Sequence, residues 1–455
     1  MKARNRILLA AIKNLIAKSD IQKATQILGR LHSVDAANVI EHLNDDEKQQ
    51  IFNVWSPESS AEALLEMDEH KQVDIAEHLE PALIADILEE MPADDATDLI
   101  GDLDAEVAEN ILSLMKKKQA SQLRQLLTFG KNTAGGLMTP EFVSLKKTKS
   151  TEAAIEKLRR VAKETETIYT LFIVNDENQL VGALSLKDLI IAPAKSLLKE
   201  IMDPEVIYIE ASSDQEEAAQ LMSKYDLLVL PVVDAEQYLL GIITIDDVVD
   251  VIEDEATEDM YKMSGASEFE DVTETTLITA TRSRSPWIIL ALLGEVLVVG
   301  AVAARFTFLL KAVPALAIYW AAMTSVGGNT SFQVATVAVR GLAIGSVDPR
   351  AIRRRVSREF LLSISLSAIT AATFFILARL LSSALLPIAI IVAVANVAIV
   401  ITSALIGALV PIGFHRVGID PAVSSNPLLA LIMDALSLLI YFSIALVVLQ
   451  AFGVI

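Results

Sequence analysis

The sequence predicts a multidomain membrane protein. Its parts are an all-α superhelical N-terminal domain, an α/β pair of internal repeats, and an all-α transmembrane domain with five helices. Three observations carry this. The 455 residues are 53% apolar yet bear a net charge of −21, and these properties separate along the chain. After Thr281 stand twelve Lys/Arg and five Asp/Glu, a net of +7, which leaves −28 for the residues before it. A twelve-residue beat runs through the acidic region, and a longer segment beyond it occurs twice. This length exceeds one ordinary core.

The beat falls on Leu31, Leu43, Trp55, Met67, Leu79, Met91, Leu103 and Met115, embedded in polar, acidic sequence. Short helices of about one repeat each, stacked in an array, would bury that column. Residues 31–115 are therefore expected to be a helical scaffold, with an acidic surface (Asp94, Asp95, Asp98) suited to cations. The basic start, Met1 to Arg6, leads into an apolar stretch that Lys13 and Lys18 interrupt. An amphipathic helix is expected there rather than a signal peptide.

Leu137-Met-Thr-Pro-Glu-Phe-Val-Ser-Leu145 recurs as Ile201-Met-Asp-Pro-Glu-Val-Ile-Tyr-Ile209. Each copy continues through a helical pattern and a β-rich run. Each then closes on Gly-x-hydrophobic-x-hydrophobic-x-Asp, at Gly182 to Asp188 and at Gly241 to Asp247. The order is strand, helix, strand, strand, helix. In the acidic run that follows, Asp247, Asp250, Asp254 and Glu258 recur on one helical face. Like charges at that spacing destabilise a helix unless neutralised. A solvated face is the plain alternative. A divalent ion held by oxygen ligands, with the acidic helical domain facing it, would supply the charge.

Five apolar stretches follow Pro286, at roughly 287–310, 312–344, 360–383, 385–410 and 427–453. Each is long enough for a ~30 Å hydrocarbon core that about 20 helical residues span. Arg282 and Arg284 precede the first, Arg350, Arg353, Arg354, Arg355 and Arg358 fill the second loop, and Arg416 lies in the fourth. All fall on one side if the spans alternate, and basic loops mark the cytosol. The soluble half is expected in the cytosol of a cell with this protein in its inner membrane, and the C-terminus outside.

Carboxylates inside a membrane are costly and point to function. Asp434 in the last span and Glu295 in the first qualify. Pairing of Asp434 with Arg379 or a hydroxyl of another helix is the alternative for it, and a packing or proton-carrying role for Glu295. The second span carries Ser325-Val-Gly-Gly-Asn-Thr-Ser-Phe-Gln333, which suggests a broken or closely packed helix facing a wet path. Asn329 and Gln333 share a face there. Such oxygen donors suit a hard cation, and magnesium keeps its water reluctantly exchanged, so a hydrated ion is expected.

These residues resemble the MgtE family of magnesium channels over nearly the whole length. The resemblance rests on Leu31-His-x-x-Asp35, Thr133-Ala-Gly-Gly-Leu-Met-Thr-Pro-Glu141, both repeats (which resemble a tandem pair of CBS domains) and Glu255-Ala-Thr-Glu-Asp259. It continues through Pro286-Trp287, Gly327-Gly-Asn329, Ala335-Thr-x-x-x-Arg-Gly-Leu-Ala343, Asp420-Pro-Ala-Val423, Asp434 and Tyr441-Phe442. The resemblance implies a homodimer in membrane lipid, with an N domain at 1–131, CBS domains at 132–261, a connecting plug helix at 262–281 and a transmembrane domain at 282–455. It matches Asp434 to the pore carboxylate and Asn329, with Gly328, to the neighbouring motif. Glu62, Asp94 and Asp98, with Asp226, Asp247, Asp250, Glu255, Glu258 and Asp259, match acids that clamp regulatory magnesium. Some members also bind ATP in the CBS pair. The chain departs from the family at Thr330-Ser331 and at Ala430-Leu431.

The function expected is magnesium import, closed by cytosolic magnesium. A transporter of cobalt or manganese under nucleotide control, and a membrane sensor that conducts nothing, are the rivals. No nucleic-acid partner is expected. An enzyme is not expected either: the sequence has no cysteine, its five scattered histidines (His32, His42, His70, His78, His415) show no zinc-ligand spacing, and it lacks a Walker-type glycine loop.

Overall fold

A computed structural model of the chain describes residues 3–162, 165–265, 277–343, 349–381, 386–423 and 426–455. It divides into two compact units, Met1–Val251 and Ile252–Ile455.

The first unit opens with ten helices: α1 Ala3–Ala17, α2 Ile21–Leu28, α3 Ser33–Ile40, α4 Asp45–Phe52, α5 Pro57–Leu65, α6 Glu69–His78, α7 Pro81–Leu88, α8 Ala93–Asp102, α9 Ala105–Leu114 and α10 Lys117–Leu126. From α3 onward each helix starts twelve residues after the last. The beat residues lie in the turns before these starts, and Leu43, Trp55, Met67, Leu79, Met91, Leu103 and Met115 are all buried. Local chemistry sets the starts. Asn44 and Glu47 form a capping box on α4, Ser56 caps α5, and Pro57 and Pro81 occupy first-turn positions. Odd-numbered helices pack on odd and even on even, α1 to α3 to α5 to α7 to α9 beside α2 to α4 to α6 to α8 to α10. The N-terminal helix is amphipathic as expected, with Ile12 and Ile16 in this core.

Two three-stranded sheets follow. Strands β1 Ser144–Lys146, β2 Thr170–Val174 and β3 Leu180–Ser185 form one, and β4 Ile209–Glu210, β5 Val229–Val233 and β6 Leu239–Thr244 the other. In each, the first strand runs parallel to the second and the second antiparallel to the third. The copies exchange their leading segments. Thr139 bridges Ile242 of the second sheet, and Asp203 bridges Ala183 of the first. Met138 packs where a Cβ on Gly241 would sit, and Met202 where a Cβ on Gly182 would. The repeated Met and Gly are thus halves of one reciprocal contact. Phe172 and Leu180 meet Val229, Val233 and Ile242 between the sheets.

The helix Ile245–Ser264 contains the border between the units. The predicted connector at 262–281 falls largely outside the described residues: 262–264 end this helix, and Leu277 begins the next. In the second unit, helices Leu277–Gly294, Leu316–Ala343, Pro349–Leu381, Leu386–Arg416 and Asn426–Ala451 follow the five predicted spans in order. Among the described residues, stretches in four of these are long and apolar enough to cross a membrane. The polar run from Ser325 to Gln333 sets Leu316–Ala343 apart, although it is one unbroken helix of 28 residues. Close packing, not a break, accounts for Gly327, while Gly328 faces open space. A Cβ on Gly327 would collide with Ser437 Oγ of the last helix, and one on Gly407 with the backbone of Ser331. The first span passes through a π-helical turn at Glu295–Val299 and a further α-helical turn, ending at Arg305. The arginines placed in the second loop instead begin the helix Pro349–Leu381, which extends past its apolar part. Tyr441 is buried and donates to the carbonyl of Leu316 at 3.0 Å.

Candidate ion sites

In the first unit, helix α8 carries Asp94, Asp95 and Asp98 in its first two turns, near its positive end. Asp247 stands in the first turn of Ile245–Ser264, held by the Thr244 hydroxyl at 2.6 Å. These carboxylates act on one another. Burial, then the charges of Asp95 and Asp247, hold Asp94 well above the usual carboxylate range. Burial, then Asp247 and Asp98, push Asp95 to about 7. Asp98 rises to about 6 through burial, although Lys131 opposes it. Asp247 rises to about 6 through burial, against the stabilising Thr244 bond. Asp94 is 8% exposed, and its Oδ1 has no hydrogen-bond partner. A buried carboxylate oxygen without a donor is costly, and a proton, a water or a cation would satisfy it.

The other acidic candidates before the apolar helices separate from this cluster. Glu62 is exposed on α5. Asp226 is an exposed left-handed cap, φ 53°, at the end of helix Gln215–Tyr225. Asp250 is exposed on the long helix. Glu255, Glu258 and Asp259 lie in the second unit, where they meet partners of their own. Lys262 forms an ion pair with Glu258 and reaches Asp420 at 2.8 Å. Asp420 also accepts from the backbone N–H of Ala422 at 2.8 Å. Burial, then Asp420 and Glu255, raise Asp259 to about 6, while Arg340 lowers it.

Within the apolar helices, the Glu295 carboxyl group lies beside that of Asp434 and acts on it. The π turn that Glu295 begins packs on the last helix. Gly294 makes the approach possible, since a Cβ there would overlap Leu431. Asn329 is exposed and donates to Ser325 Oγ at 3.3 Å, and Gln333 is exposed beside it on the same face. Gly328 has open space around it, and its carbonyl accepts from Ser331 Oγ at 2.8 Å. Ser437, one turn beyond Asp434, is buried against Gly327 without a hydrogen-bond partner.

The donor set is oxygen throughout, which fits magnesium. Among the described residues no three carboxylates converge closely enough to ligate one ion directly. An ion that keeps part of its water shell is the kind such spacing can hold. Sequence reading missed Glu166, whose charge acts on Asp94, Asp95 and Asp247, and the Lys262–Asp420 pair. Glu166 sits in an irregular loop with no periodicity to betray it. Two histidines turn inward to their own helices, His42 to the carbonyl of Asn38 and His78 to that of Asp74.

Residues 31–132 match the family model described as the MgtE intracellular N domain, residues 134–195 and 198–254 match the CBS domain, and residues 320–444 match a divalent cation transporter. The magnesium transporter MgtE of Thermus thermophilus is 34% identical over 453 residues, 98% of this chain and 99% of that protein. That of Enterococcus faecalis is 32% identical over 442 residues, 96% of each. Among solved structures, the soluble part of a magnesium transporter aligns with a TM-score of 0.51 at 33% identity, covering 55% of this chain and 99% of that one. The cytosolic domain of the Mg2+ channel MgtE in complex with ATP aligns with a TM-score of 0.51 at 32% identity, covering 53% and 99%.

Proposed function

Because the chain belongs to the MgtE family of magnesium transporters, we propose that it is a magnesium channel of the inner membrane, closed from the cytosolic side by the ion it conducts. The observation that carries the conducting half is Asp434, a carboxylate set inside a 26-residue apolar helix with a second carboxyl group, Glu295, beside it. A mere anchor has no use for that cost. On this reading Asp434, with Glu295, Gly328 and Asn329, lines the path of a hydrated ion in a homodimer. The soluble half is cytosolic and the C-terminus lies outside.

Regulation rests on the acids of the cytosolic half. Asp94, Asp95, Asp98 and Asp247 repel one another and would hold magnesium between the N domain and the CBS pair. Glu62, Asp226, Asp250, Glu255, Glu258 and Asp259 are the further clamp positions, and residues 262–281 the connection to the pore. Bound magnesium supplies the positive charge that lets these surfaces stay together. When cytosolic magnesium falls, the acidic surfaces part and the pore opens, a population shift driven by binding to one state.

The test is flux into liposomes holding the purified protein, with the cytosolic side magnesium-free. Magnesium flux that Asp434→Ala lowers by at least ~100-fold, about 2.7 kcal/mol of barrier, supports the channel reading. Folded protein that passes no divalent ion would instead make it a sensor. Likeness to a cytosolic domain solved with ATP favours a second reading of the regulation, in which nucleotide at the CBS pair sets the state. Protease protection by magnesium without ATP separates the two.

A further inference from the structure

Helix Pro349–Leu381 carries its buried residues on one narrow stripe. Among the described residues these are Ser363, Ser367, Ala371 and Ala378, with Phe374 and Phe375 half-buried beside them. The stripe packs on Leu386–Arg416. Four residues separate the two helices in sequence, so they pack antiparallel. Small side chains let the backbones approach closely. They supply no large knob to fix how far along one helix the other sits.

One polar contact crosses this seam. Asn396 is fully buried, well inside the apolar stretch of Leu386–Arg416, and its Nδ2 donates to Thr370 Oγ1 at 2.6 Å. Its Oδ1 is buried without a hydrogen-bond partner. Hydroxyls along the seam donate back into their own helices: Ser367 to the carbonyl of Ile364 at 2.9 Å, Thr370 to that of Leu366 at 2.9 Å, and Ser403 to that of Ile399 at 2.7 Å. Asn396 therefore makes one bond between the helices and leaves one buried acceptor unmade. The unmade bond costs at least as much as the made one returns in a membrane. Leucine would be the more stabilising side chain there. What a lone buried asparagine supplies instead is register.

The fourth span is gripped from both sides. Beyond its seam with the third, Ile399 lies against Gly327 of the second span, and Gly407 lets it meet the backbone of Ser331. Gly328 and Asn329 stand between those two contacts.

We propose that Asn396 is a positioning residue for ion passage. Its bond to Thr370 sets the register of the third span on the fourth, and the fourth span in turn holds Gly328 and Asn329 in place. The second step rests on the channel reading above.

The chain has no cysteine, so an introduced pair reports register cleanly. About two helical turns lead from Thr370 back to Ser363 and from Asn396 on to Ser403, which brings these two buried serines to one level. A Ser363→Cys/Ser403→Cys chain oxidised in liposomes should cross-link, and adding Asn396→Leu should cut the yield at least about threefold. In the cysteine-free chain, Asn396→Leu and Thr370→Val should each lower magnesium flux about tenfold, and the two together no further. The swapped pair Thr370→Asn/Asn396→Thr should restore most of it. The melting temperature of Asn396→Leu in detergent should be no lower than wild type, because the orphaned oxygen is gone. Unchanged flux and cross-linking in both single variants overturn the proposal and leave Asn396 as a space-filler. Flux lost together with melting temperature, and not restored by the swap, assigns Asn396 to the fold alone and also overturns it. Wild type that passes no divalent ion sinks the channel reading and the second step with it, while the cross-link still decides the register.

Discussion

Two acidic regions of this chain handle like charge in opposite ways. Around Glu258, Asp259 and Asp420 the chain brings its own cations: Lys262 bridges two of the carboxylates, and Arg340 acts on the third. Around Asp94, Asp95 and Asp247 the strongest charges are all negative, and Lys131 reaches only the far member, Asp98. At an effective dielectric near 20, two like charges ~5 Å apart cost about 3 kcal/mol, so neither arrangement is neutral to the fold. A region with built-in counter-ions is stable whatever the ionic conditions. One without them carries a repulsion that a supplied cation or a proton would relieve.

The comparison can be broken most directly by neutralising the second region. An Asp94→Asn/Asp95→Asn/Asp247→Asn variant should need no supplied cation. Protease protection by magnesium should then shift by about 100-fold or vanish, as followed by limited digestion across a magnesium titration. A protection curve identical to wild type would mean the cluster is a solvated face. The reverse change sharpens the contrast. Lys262→Met removes the internal counter-ion of the first region and leaves Asp420 and Glu258 facing each other. The second unit should lose about 2 kcal/mol in chelator and recover it in millimolar magnesium, measured by thermal unfolding in detergent. Loss without recovery would assign Lys262 to packing alone.

The smallest effect is on pH. Asp95, Asp98 and Asp247 have folded values of about 7, 6 and 6, above the ordinary carboxylate value near 4. The folded state therefore binds more protons than the unfolded one in this interval. Their contribution is favourable below about pH 4 and is lost as pH rises through about 6 to 7. In chelator the first unit should melt on the order of 5 °C lower at pH 8 than at pH 5.5. Magnesium should flatten that slope, because it takes the place of the protons. Differential scanning calorimetry at the two pH values, with and without the ion, reads this out.

Much of the architecture was visible in the sequence because it repeats. Leu43, Trp55, Met67 and their successors sit at constant spacing, so one pattern predicted a helix per repeat, and the structure has it. The paired Met-x-Pro and Gly-x motifs predicted two copies of one unit, although not that Met138 rests on Gly241 and Met202 on Gly182. The first copy's methionine serves the second copy's glycine, a swap that local pattern cannot express. Asp434 was legible because charge is rare in an apolar run, and the structure joins it to Glu295. What stayed hidden depends on distance along the chain. Lys262 and Asp420 are 158 residues apart, and Glu166 reaches the Asp94 cluster from a loop of no regular period. The glycines at 327 and 328 raised a broken helix as an option, because sequence does not show that Ser437 crowds against Gly327 and packs the helix tightly instead.

The two-row packing of the N-terminal helices limits how that domain can change length. Each helix rests on the one two places before it, so consecutive repeats belong to alternate rows. Deleting one twelve-residue repeat would send each later helix to the opposite row, against neighbours it was not shaped for, and would turn α8 and its aspartates to another face. Deleting or inserting two would restore every helix to its own row. A change of two repeats, about twenty-four residues, should therefore be tolerated better than a change of one.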